Sequence, residues 1–205
     1  MKTPILETSR LWLRPLKEED APDAFLWTGD PKVSWYMRYE THESLEDTKQ
    51  WLREEEKQLD SDLLYDFGFH KKDNDELIGS GGLTFNQQQG IWELGCNLRR
   101  DCWNQGYGTE AAAAILSFAE NTLHIHRVMA RHAKDNTASG RVLEKNGFSF
   151  VRECWARIGS SAANISGKVK KKRKKTAPPA TRSNASMMTN TKNGIVWNGI
   201  RQSSR

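Results

Sequence analysis

The chain has 205 residues, 37% of them hydrophobic and 28% charged, and a formal net charge of +5 at pH 7. This length and composition predict one compact domain with a sizeable core and argue against a collagen-like, coiled-coil or multidomain protein. The apolar runs are far shorter than the roughly 18 residues that span a bilayer, and the N-terminal residues lack a secretory leader, so we expect a cytoplasmic protein without a membrane partner.

Strand-like and helix-like patterns alternate up to residue 153. In chain order, the spacing of apolar residues predicts a strand from Leu11 to the turn at Pro15, helices over 17–27 and from Ser44, strands over 63–70, 77–85 and 91–98, a helix over 109–123, a strand over 126–132, a helix over 136–146 and a strand from 148. Ser44 and Asp47 have the spacing of a capping box, and Gly147 is a left-handed cap. This order predicts an α/β or α+β sheet domain.

The loop after the predicted strand over 91–98 has a composition suited to anion binding. Gly106, Tyr107 and Gly108 open directly onto an alanine-rich helix. Glycines there allow a tight turn, so the free N–H groups of the first helical turn and the helix dipole can hold a pyrophosphate. An ordinary helix start explains the same pattern equally well.

Other phosphate-binding and hydrolytic motifs fit this chain poorly. Residues 106–111 match G-x-G-x-x-A, but seven residues separate them from the preceding strand, whereas a dinucleotide-binding turn follows its strand at once. Thr109 and Glu110 stand where a Walker loop needs Lys and Ser or Thr, and a G-x-S-x-G elbow is lacking.

The cysteines indicate neither a disulfide framework nor a zinc site. Cys96, Cys102 and Cys154 are an odd set without C-x-x-C spacing. We therefore expect three reduced thiols and no metal.

Three blocks in this order resemble the GNAT superfamily of acyl-CoA N-acyltransferases, in the branch of ribosomal-protein N-terminal acetyltransferases of the RimJ and RimL type. They are TSRLWLRPLKEEDA at 8–21, WELGCNLRRDCWNQGYGTEA at 92–111 and LHIHRVMARHAKDNTASGRVLEKNGF at 123–148. The resemblance covers about residues 3–153. It implies a mixed central sheet with flanking helices, an acetyltransferase domain over residues 1–158, and acetyl-CoA as cosubstrate.

The resemblance also implies a role for each matching position. The backbone at Leu98 and Arg99 would hydrogen-bond the pantetheine arm of acetyl-CoA, Asn136 and Ser139 would line its thiol, and Glu93 would face the acceptor. The residues that would hold the pyrophosphate are Gln105, Gly106, Tyr107, Gly108 and Thr109.

A mechanism follows from the chemistry of amines. An alkylammonium group has a pKa of about 10, so a base must remove a proton before the nitrogen can attack. Glu93 is the candidate base, directly or through a water, and Ser139 the candidate donor to the departing thiolate. Direct attack needs no covalent intermediate, because one cleft holds both reactants. A solvated strand residue and a first-turn serine are the plainer interpretations of these two positions.

After Glu153 the chain departs from the family pattern. Residues 1–153 carry 19 basic and 26 acidic residues, whereas residues 154–205 carry 12 basic and no acidic ones. This composition predicts a disordered basic tail over residues 159–205, with the final strand of the sheet missing or replaced. The cluster of Ile195, Val196 and Trp197 is the only one able to imitate that strand, and we expect an open sheet edge beside Phe148.

The leading function is therefore transfer of an acetyl group to a primary amine, on a protein N-terminus or a small molecule. A catalytically silent acyl-CoA-binding domain is the second interpretation. The third is a nucleic-acid binder that acts nonspecifically through the basic run at 168–175.

Overall fold

The computed structural model describes residues 2–151 and the backbone of residues 152, 154–158, 161–165 and 196–200. Its strands are β1 (Leu6–Glu7), β2 (Leu11–Arg14), β3 (Leu64–Lys71), β4 (Leu77–Asn86), β5 (Ile91–Leu98), β6 (Arg127–Ala130), β7 (Ser149–Arg152), β8 (Cys154–Ile158), β9 (Ser161–Ile165) and β10 (Val196–Ile200). The α-helices are α1 (Ala21–Thr28), α2 (Pro31–Ser34), α3 (Leu45–Glu56), α4 (Tyr107–Asn121) and α5 (Thr137–Lys145). Within this described part, every helix is too short or too polar to cross a lipid bilayer.

Eight strands form one mixed sheet in the order β1-β2-β3-β4-β5-β6-β10-β7, and β8 and β9 form a separate hairpin. Neighbouring strands are antiparallel except β5 and β6, which are parallel. A parallel pair needs a crossover connection, and here α4 supplies it. The mixed sheet with flanking helices confirms the predicted fold class.

Helices cover the sheet and bury two apolar clusters. The larger cluster joins inward side chains of the central strands, such as Phe67 and Leu94, to Ile115 of α4. The smaller one joins Trp27 of α1 to Leu52 of α3. Burying a large apolar side chain stabilises a fold by about 1.5–3 kcal/mol, so these two clusters fix where the helices lie.

Two capping signals that the sequence predicts, one at the start of α3 and one at the end of α5, are confirmed. The Ser44 hydroxyl accepts a hydrogen bond from the Asp47 amide at 3.3 Å, and the Asp47 carboxylate accepts one from the Ser44 amide at 2.9 Å. Gly147 has φ +78°, as a left-handed residue after α5 should. The central helix starts two residues before the predicted Thr109, because Gly106 adopts φ +85° and lets α4 begin at Tyr107.

Short elements were not predicted from the sequence. The two residues of β1 are too few for a period to be visible. The single turn of α2 starts at Pro31 and is capped by Asp30, whose side chain accepts from the Lys32 amide at 2.9 Å. The hairpin of β8 and β9 was also missed.

We expected an open sheet edge beside Phe148. This expectation is wrong for the side of β7 that faces β6, because β10 pairs there. Its backbone pairs antiparallel with β6, where Gly199 faces Val128, and with β7, where Val196 faces Arg152. Unpaired N–H and C=O groups of an edge strand attract any segment able to extend. The final strand is thus replaced by a distant segment. The rest of the predicted tail, including the basic run at 168–175, lies outside the described residues, and its boundary stays a prediction.

Hydrogen exchange tests the pairing of β10. Amides that bond to β6 or β7 should exchange at least tenfold more slowly than those of the basic run at 168–175, since each exchange event then requires the sheet to open. Mass spectrometry of short peptic peptides gives both rates in one experiment. Equal, fast exchange over 196–200 would show that β6 and β7 are left with open edges.

Candidate active site

The sheet opens where β5 and β6 diverge. The two strands pair only from Trp92 to Leu94, opposite Val128 to Ala130, and β5 then continues to Leu98 beside β4 alone. The result is a gap in the middle of the sheet, with backbone groups of β5 along one wall.

The hydrogen-bond pattern shows which backbone groups face this gap. The Arg99 amide donates to the Ile78 carbonyl at 2.8 Å. Hydrogen-bonded and non-bonded pairs alternate along antiparallel strands, so Leu98, which is registered with Gly79, directs its N–H away from β4 and into the gap. The Leu98 carbonyl accepts from the Trp103 indole at 2.8 Å. Of the two residues expected to bind pantetheine, only Leu98 therefore offers a free amide.

The loop after β5 presents unpaired donors beside the gap. Gly106 at φ +85° turns the chain into α4, and Asn104 also has positive φ, +59°. The amides of Tyr107, Gly108 and Thr109 belong to the first turn, whose N–H groups have no intrahelical acceptor. A Cβ on Gly108 would lie 3.4 Å from Leu98, so the helix start packs closely against the end of β5.

An ion pair between Arg10 and Glu110, which are far apart in the sequence, anchors the start of α4. Glu110 accepts hydrogen bonds from the Thr8 hydroxyl at 2.7 Å, the Ser9 hydroxyl at 2.9 Å and the Arg10 amide at 2.8 Å. The Arg10 guanidinium donates to the same carboxylate at 2.7 Å and to the Gln105 carbonyl at 3.0 Å. The turn between β1 and β2 thus holds the loop in place.

These bonds set the charge of Glu110. Burial acts to raise the pKa of its carboxyl, but the hydrogen bonds from Thr8, Arg10 and Ser9 outweigh burial and lower the pKa to about 2. The carboxylate is therefore ionised at neutral pH and neutralises Arg10. Sequence analysis missed this pair, although both residues lie inside the family-like blocks.

A cavity of about 340 Å³ extends from the gap across this loop. Three basic side chains line it, Lys32, Arg141 and Lys145, and none of them was predicted. The residues of the expected site that line it are Leu98, Gly106, Tyr107, Gly108, Thr109, Asn136 and Ser139. The structure therefore brings together residues from three separate segments of the chain.

Asn136 and Ser139 lie at the start of α5. The Asn136 side chain caps this helix, because its Oδ1 accepts from the Ser139 amide at 3.1 Å. Both residues line the cavity. Gln105 lies apart from them: its side-chain amide donates to the Asp101 carbonyl at 2.7 Å, which stabilises the loop. Gln105 is not among the residues that line the cavity, and its contact with the pyrophosphate stays a prediction.

Glu93 is buried and paired. Its Oε1 accepts from Arg131 Nε at 2.8 Å and its Oε2 from a terminal nitrogen of Arg131 at 2.5 Å. A terminal nitrogen of Arg38 lies 3.6 Å from the same Oε1. The side chain of Glu93 is only 9% exposed, so the plain interpretation of a solvated strand residue is wrong.

These groups fit acetyl-CoA. The first-turn amides of α4 and the three basic side chains suit its phosphates, since helix N-termini and cations both stabilise anions. The Leu98 amide suits the peptide-like pantetheine arm. Asn136 and Ser139 line the same cavity.

Comparison with known proteins agrees with this geometry. The family model described as "Acetyltransferase (GNAT) domain" matches residues 10–149. Uncharacterized N-acetyltransferase p20 of Bacillus licheniformis is 29% identical over 154 residues, which are 72% of this chain and 83% of p20. Uncharacterized N-acetyltransferase YoaA of Bacillus subtilis (strain 168) is 30% identical over 146 residues, 71% of this chain and 82% of YoaA.

Ribosomal-protein acetyltransferases are among the similar proteins. The [Ribosomal protein uS5]-alanine N-acetyltransferase of Escherichia coli (strain K12) is 32% identical over 85 residues, 40% of this chain and 43% of that protein. The structure of RimL, a ribosomal L7/L12 alpha-N-protein acetyltransferase, in complex with coenzyme A superposes with a TM-score of 0.68 at 15% identity. The superposition covers 79% of this chain and 94% of RimL. RimL therefore supports the fold.

Substitution of Gly108 tests the loop as the phosphate site. Gly108→Asp places a carboxylate beside the first-turn amides, and repulsion of a pyrophosphate should weaken acetyl-CoA binding at least tenfold. The matched control is Gly108→Ala, since a Cβ there meets only ordinary contacts at 3.4 and 3.7 Å.

Titration calorimetry of both variants, with circular dichroism to verify folding, gives the result. Equal affinity of a folded Gly108→Asp variant and Gly108→Ala would place the phosphates elsewhere.

Proposed function

Because this chain belongs to the GNAT family of acetyltransferases, which its match over residues 10–149 shows, we propose that it transfers the acetyl group of acetyl-CoA to a primary amine. The amine attacks directly while both substrates are bound. The open first turn of α4 beside the gap after Leu98 is the observation that carries this proposal. It joins anion donors to an unpaired strand edge, which is the combination that a long phosphorylated thioester requires.

We assign the binding of the cosubstrate to particular groups. The amides of Tyr107, Gly108 and Thr109 would hold the pyrophosphate, and the Leu98 amide would hold the pantetheine arm. When bound, acetyl-CoA supplies an activated acyl thioester. Ser139, beside the Asn136 cap, would hydrogen-bond the thiol end.

The hydrogen bonds that Glu93 accepts from Arg131 limit the role that its carboxylate can have. The two hydrogen bonds from Arg131 fix the orientation of the Glu93 carboxylate. Arg131 thereby holds the carboxylate of the buried Glu93 in one position, from which it can attract an ammonium group. We propose that Glu93 removes the acceptor's proton through a water and that positioning supplies most of the rate.

A protein N-terminus is the acceptor class that we favour over a small amine. Relatives of this chain include a ribosomal-protein-alanine N-acetyltransferase, and the structurally similar RimL is an alpha-N-protein acetyltransferase. A cytoplasmic location is part of this proposal. The alternative is a catalytically silent acyl-CoA-binding domain, which would bind acetyl-CoA and release no thiol with any amine. The residues of the nucleic-acid alternative, 168–175, lie outside the described part.

Release of free CoA thiol, measured with peptides that bear each N-terminal residue and with a panel of small amines, tests the function. Glu93→Gln should lower kcat about 100-fold or more, within the range for general bases, and change the acetyl-CoA Kd less than twofold. Release of CoA thiol that does not depend on an amine would indicate hydrolysis of acetyl-CoA and would contradict acetyl transfer.

Arg131→Lys is the matched control for Glu93, because it keeps the charge and loses the two-bond geometry. If Arg131 positions the Glu93 carboxylate, Arg131→Lys should lower kcat by less than Glu93→Gln does and leave the acetyl-CoA Kd within twofold. A Glu93→Gln variant with kcat within threefold of wild type would make Glu93 structural.

A further inference from the structure

Two carboxyl groups that the proposed mechanism does not use line one small cavity between α3 and the sheet. Glu55 lies in the last turn of α3, and Asp66 lies on β3. The cavity has a volume of about 10 Å³, and its other lining residues are uncharged: Thr3, Leu16, Gln58, Leu59 and Leu64. Such a cavity holds at most about one water, so it is too small for a hydrated metal ion that could neutralise the pair.

Local contacts fix both side chains. Glu55 Oε1 accepts a hydrogen bond at 3.2 Å from the indole of Trp51, one turn earlier on α3. Asp66 is registered with Gly82 of β4, and a Cβ on Gly82 would lie 2.8 Å from Asp66 Oδ1. The Asp66 carboxyl group therefore lies over a glycine of the neighbouring strand, and both carboxyl residues are only partly exposed.

No basic side chain compensates this pair. Arg53 and Lys57, the basic residues nearest to Glu55 in the sequence, pair with exposed glutamates instead. Of the described residues that line the cavity, Glu55 is the one titratable neighbour of Asp66. The helix adds to the negative potential, because the C-terminal end of a helix has a partial negative charge.

This arrangement favours the protonated form of Asp66. Burial raises the pKa of its carboxyl, and the negative charge of Glu55 raises it further, to about 7, although a hydrogen bond from the Phe67 amide opposes the shift. Burial also raises the pKa of Glu55. The pair therefore holds a proton that leaves near neutral pH.

A chain of hydrogen bonds joins α3 to the residues before it. The Thr28 hydroxyl donates to the Ala24 carbonyl at 3.2 Å. A hydroxyl has a single proton to donate, so Thr28 accepts from the Thr48 hydroxyl of α3, 2.8 Å away. The Thr48 oxygen then accepts from His42 Nδ1 at 2.8 Å. His42 is thus tied to α3 by its ring.

His42 ends the segment that follows α2. Its amide donates to the Thr28 carbonyl at 3.0 Å, which ties it to α1 as well. Tyr36 and Met37 of the same segment line the cavity of the candidate active site. Loosening of α3 therefore removes a support of these two residues.

We propose that Glu55 and Asp66 form a pH-sensitive switch between α3 and β3. While Asp66 keeps its proton, the pair has a single negative charge and α3 packs firmly on the sheet. When the proton leaves to solvent, the two carboxylates repel each other and α3 opens more often. The switch itself does not depend on the proposed function, and only its effect on acetyl-CoA binding rests on that function.

The direction of the effect follows from the pKa of Asp66. A carboxyl whose pKa is higher in the folded protein than in the unfolded chain stabilises the fold at low pH. This stabilisation is lost as the pH rises from the ordinary pKa of 3.8 to about 7. The ratio of open to closed α3 should therefore rise about tenfold between pH 6 and pH 8.

Hydrogen exchange of α3 in the full chain, followed by mass spectrometry and corrected for the intrinsic pH dependence of exchange, gives this ratio. The rise from pH 6 to pH 8 should be about tenfold larger in wild type than in Asp66→Asn, because Asn cannot ionise. Asp60→Asn is the matched control, since Asp60 is an exposed carboxylate in the turn after α3, and it should behave as wild type does. A wild-type rise that stays within about threefold of the Asp66→Asn rise overturns the proposal.

Glu55→Gln supplies an independent test, and it decides the question if Asp66→Asn fails to fold. It removes the repulsion and leaves Asp66 in place, so the rise in α3 opening should be smaller than in wild type. A rise equal to that of wild type overturns the proposal.

Addition of acetyl-CoA separates the switch from the proposed function. Saturating acetyl-CoA at pH 8 should slow the exchange of α3, because the bound molecule requires Tyr36 and Met37 in place. If the chain binds no acetyl-CoA, the proposed function fails, and the comparison of wild type with Asp66→Asn still decides whether the switch exists.

Discussion

The early divergence of β5 from β6 is the constraint on which the site depends. Only three residue pairs join these strands, and beyond Leu94 the backbone of β5 has a neighbour on one side alone. Unpaired amides inside a sheet are costly unless a ligand or water satisfies them. The gap is therefore a place where an extended, amide-bearing molecule is stabilised in the way a strand would be. The first turn of α4 and the start of α5 line the same cavity as the end of β5.

The helix start beside this gap needs support from elsewhere, because three free amides and a left-handed glycine do not hold a loop by themselves. The turn before β2 gives that support through Arg10 and Glu110, which also joins the outer edge of the sheet to its centre. Arg10 additionally lies over the Tyr107 ring at 4.3 Å. A single partly buried carboxylate, that of Glu110, thus fixes the first turn of α4 before any anion arrives. Such preorganisation lowers the ordering cost of binding.

Local sequence patterns were enough to predict the elements that build the site. The glycines before α4 and the apolar period of that helix are features of neighbouring residues, and so is the capping box of α3. Contacts between residues that are far apart in the sequence leave no such local pattern. Glu110 and Arg10 are 100 residues apart, and Arg131 and Glu93 are 38 apart, so neither pair could be found by spacing. The same reason applies to β10, whose five residues pair with strands far earlier in the chain. Sequence alone therefore suggested Glu93 as a free base, whereas the fold supplies two guanidinium groups around it.

The central claim is that acetyl-CoA binds in the gap and across the first turn of α4. Its most direct test is a titration of ¹⁵N-labelled protein with acetyl-CoA, followed by amide chemical shifts. The account predicts that the largest changes occur at Leu98, Tyr107, Gly108 and Thr109, with smaller ones at Ser139, and that the Arg99 amide, bonded to Ile78, moves little. Shifts concentrated outside these residues, or none at saturating acetyl-CoA, would contradict it.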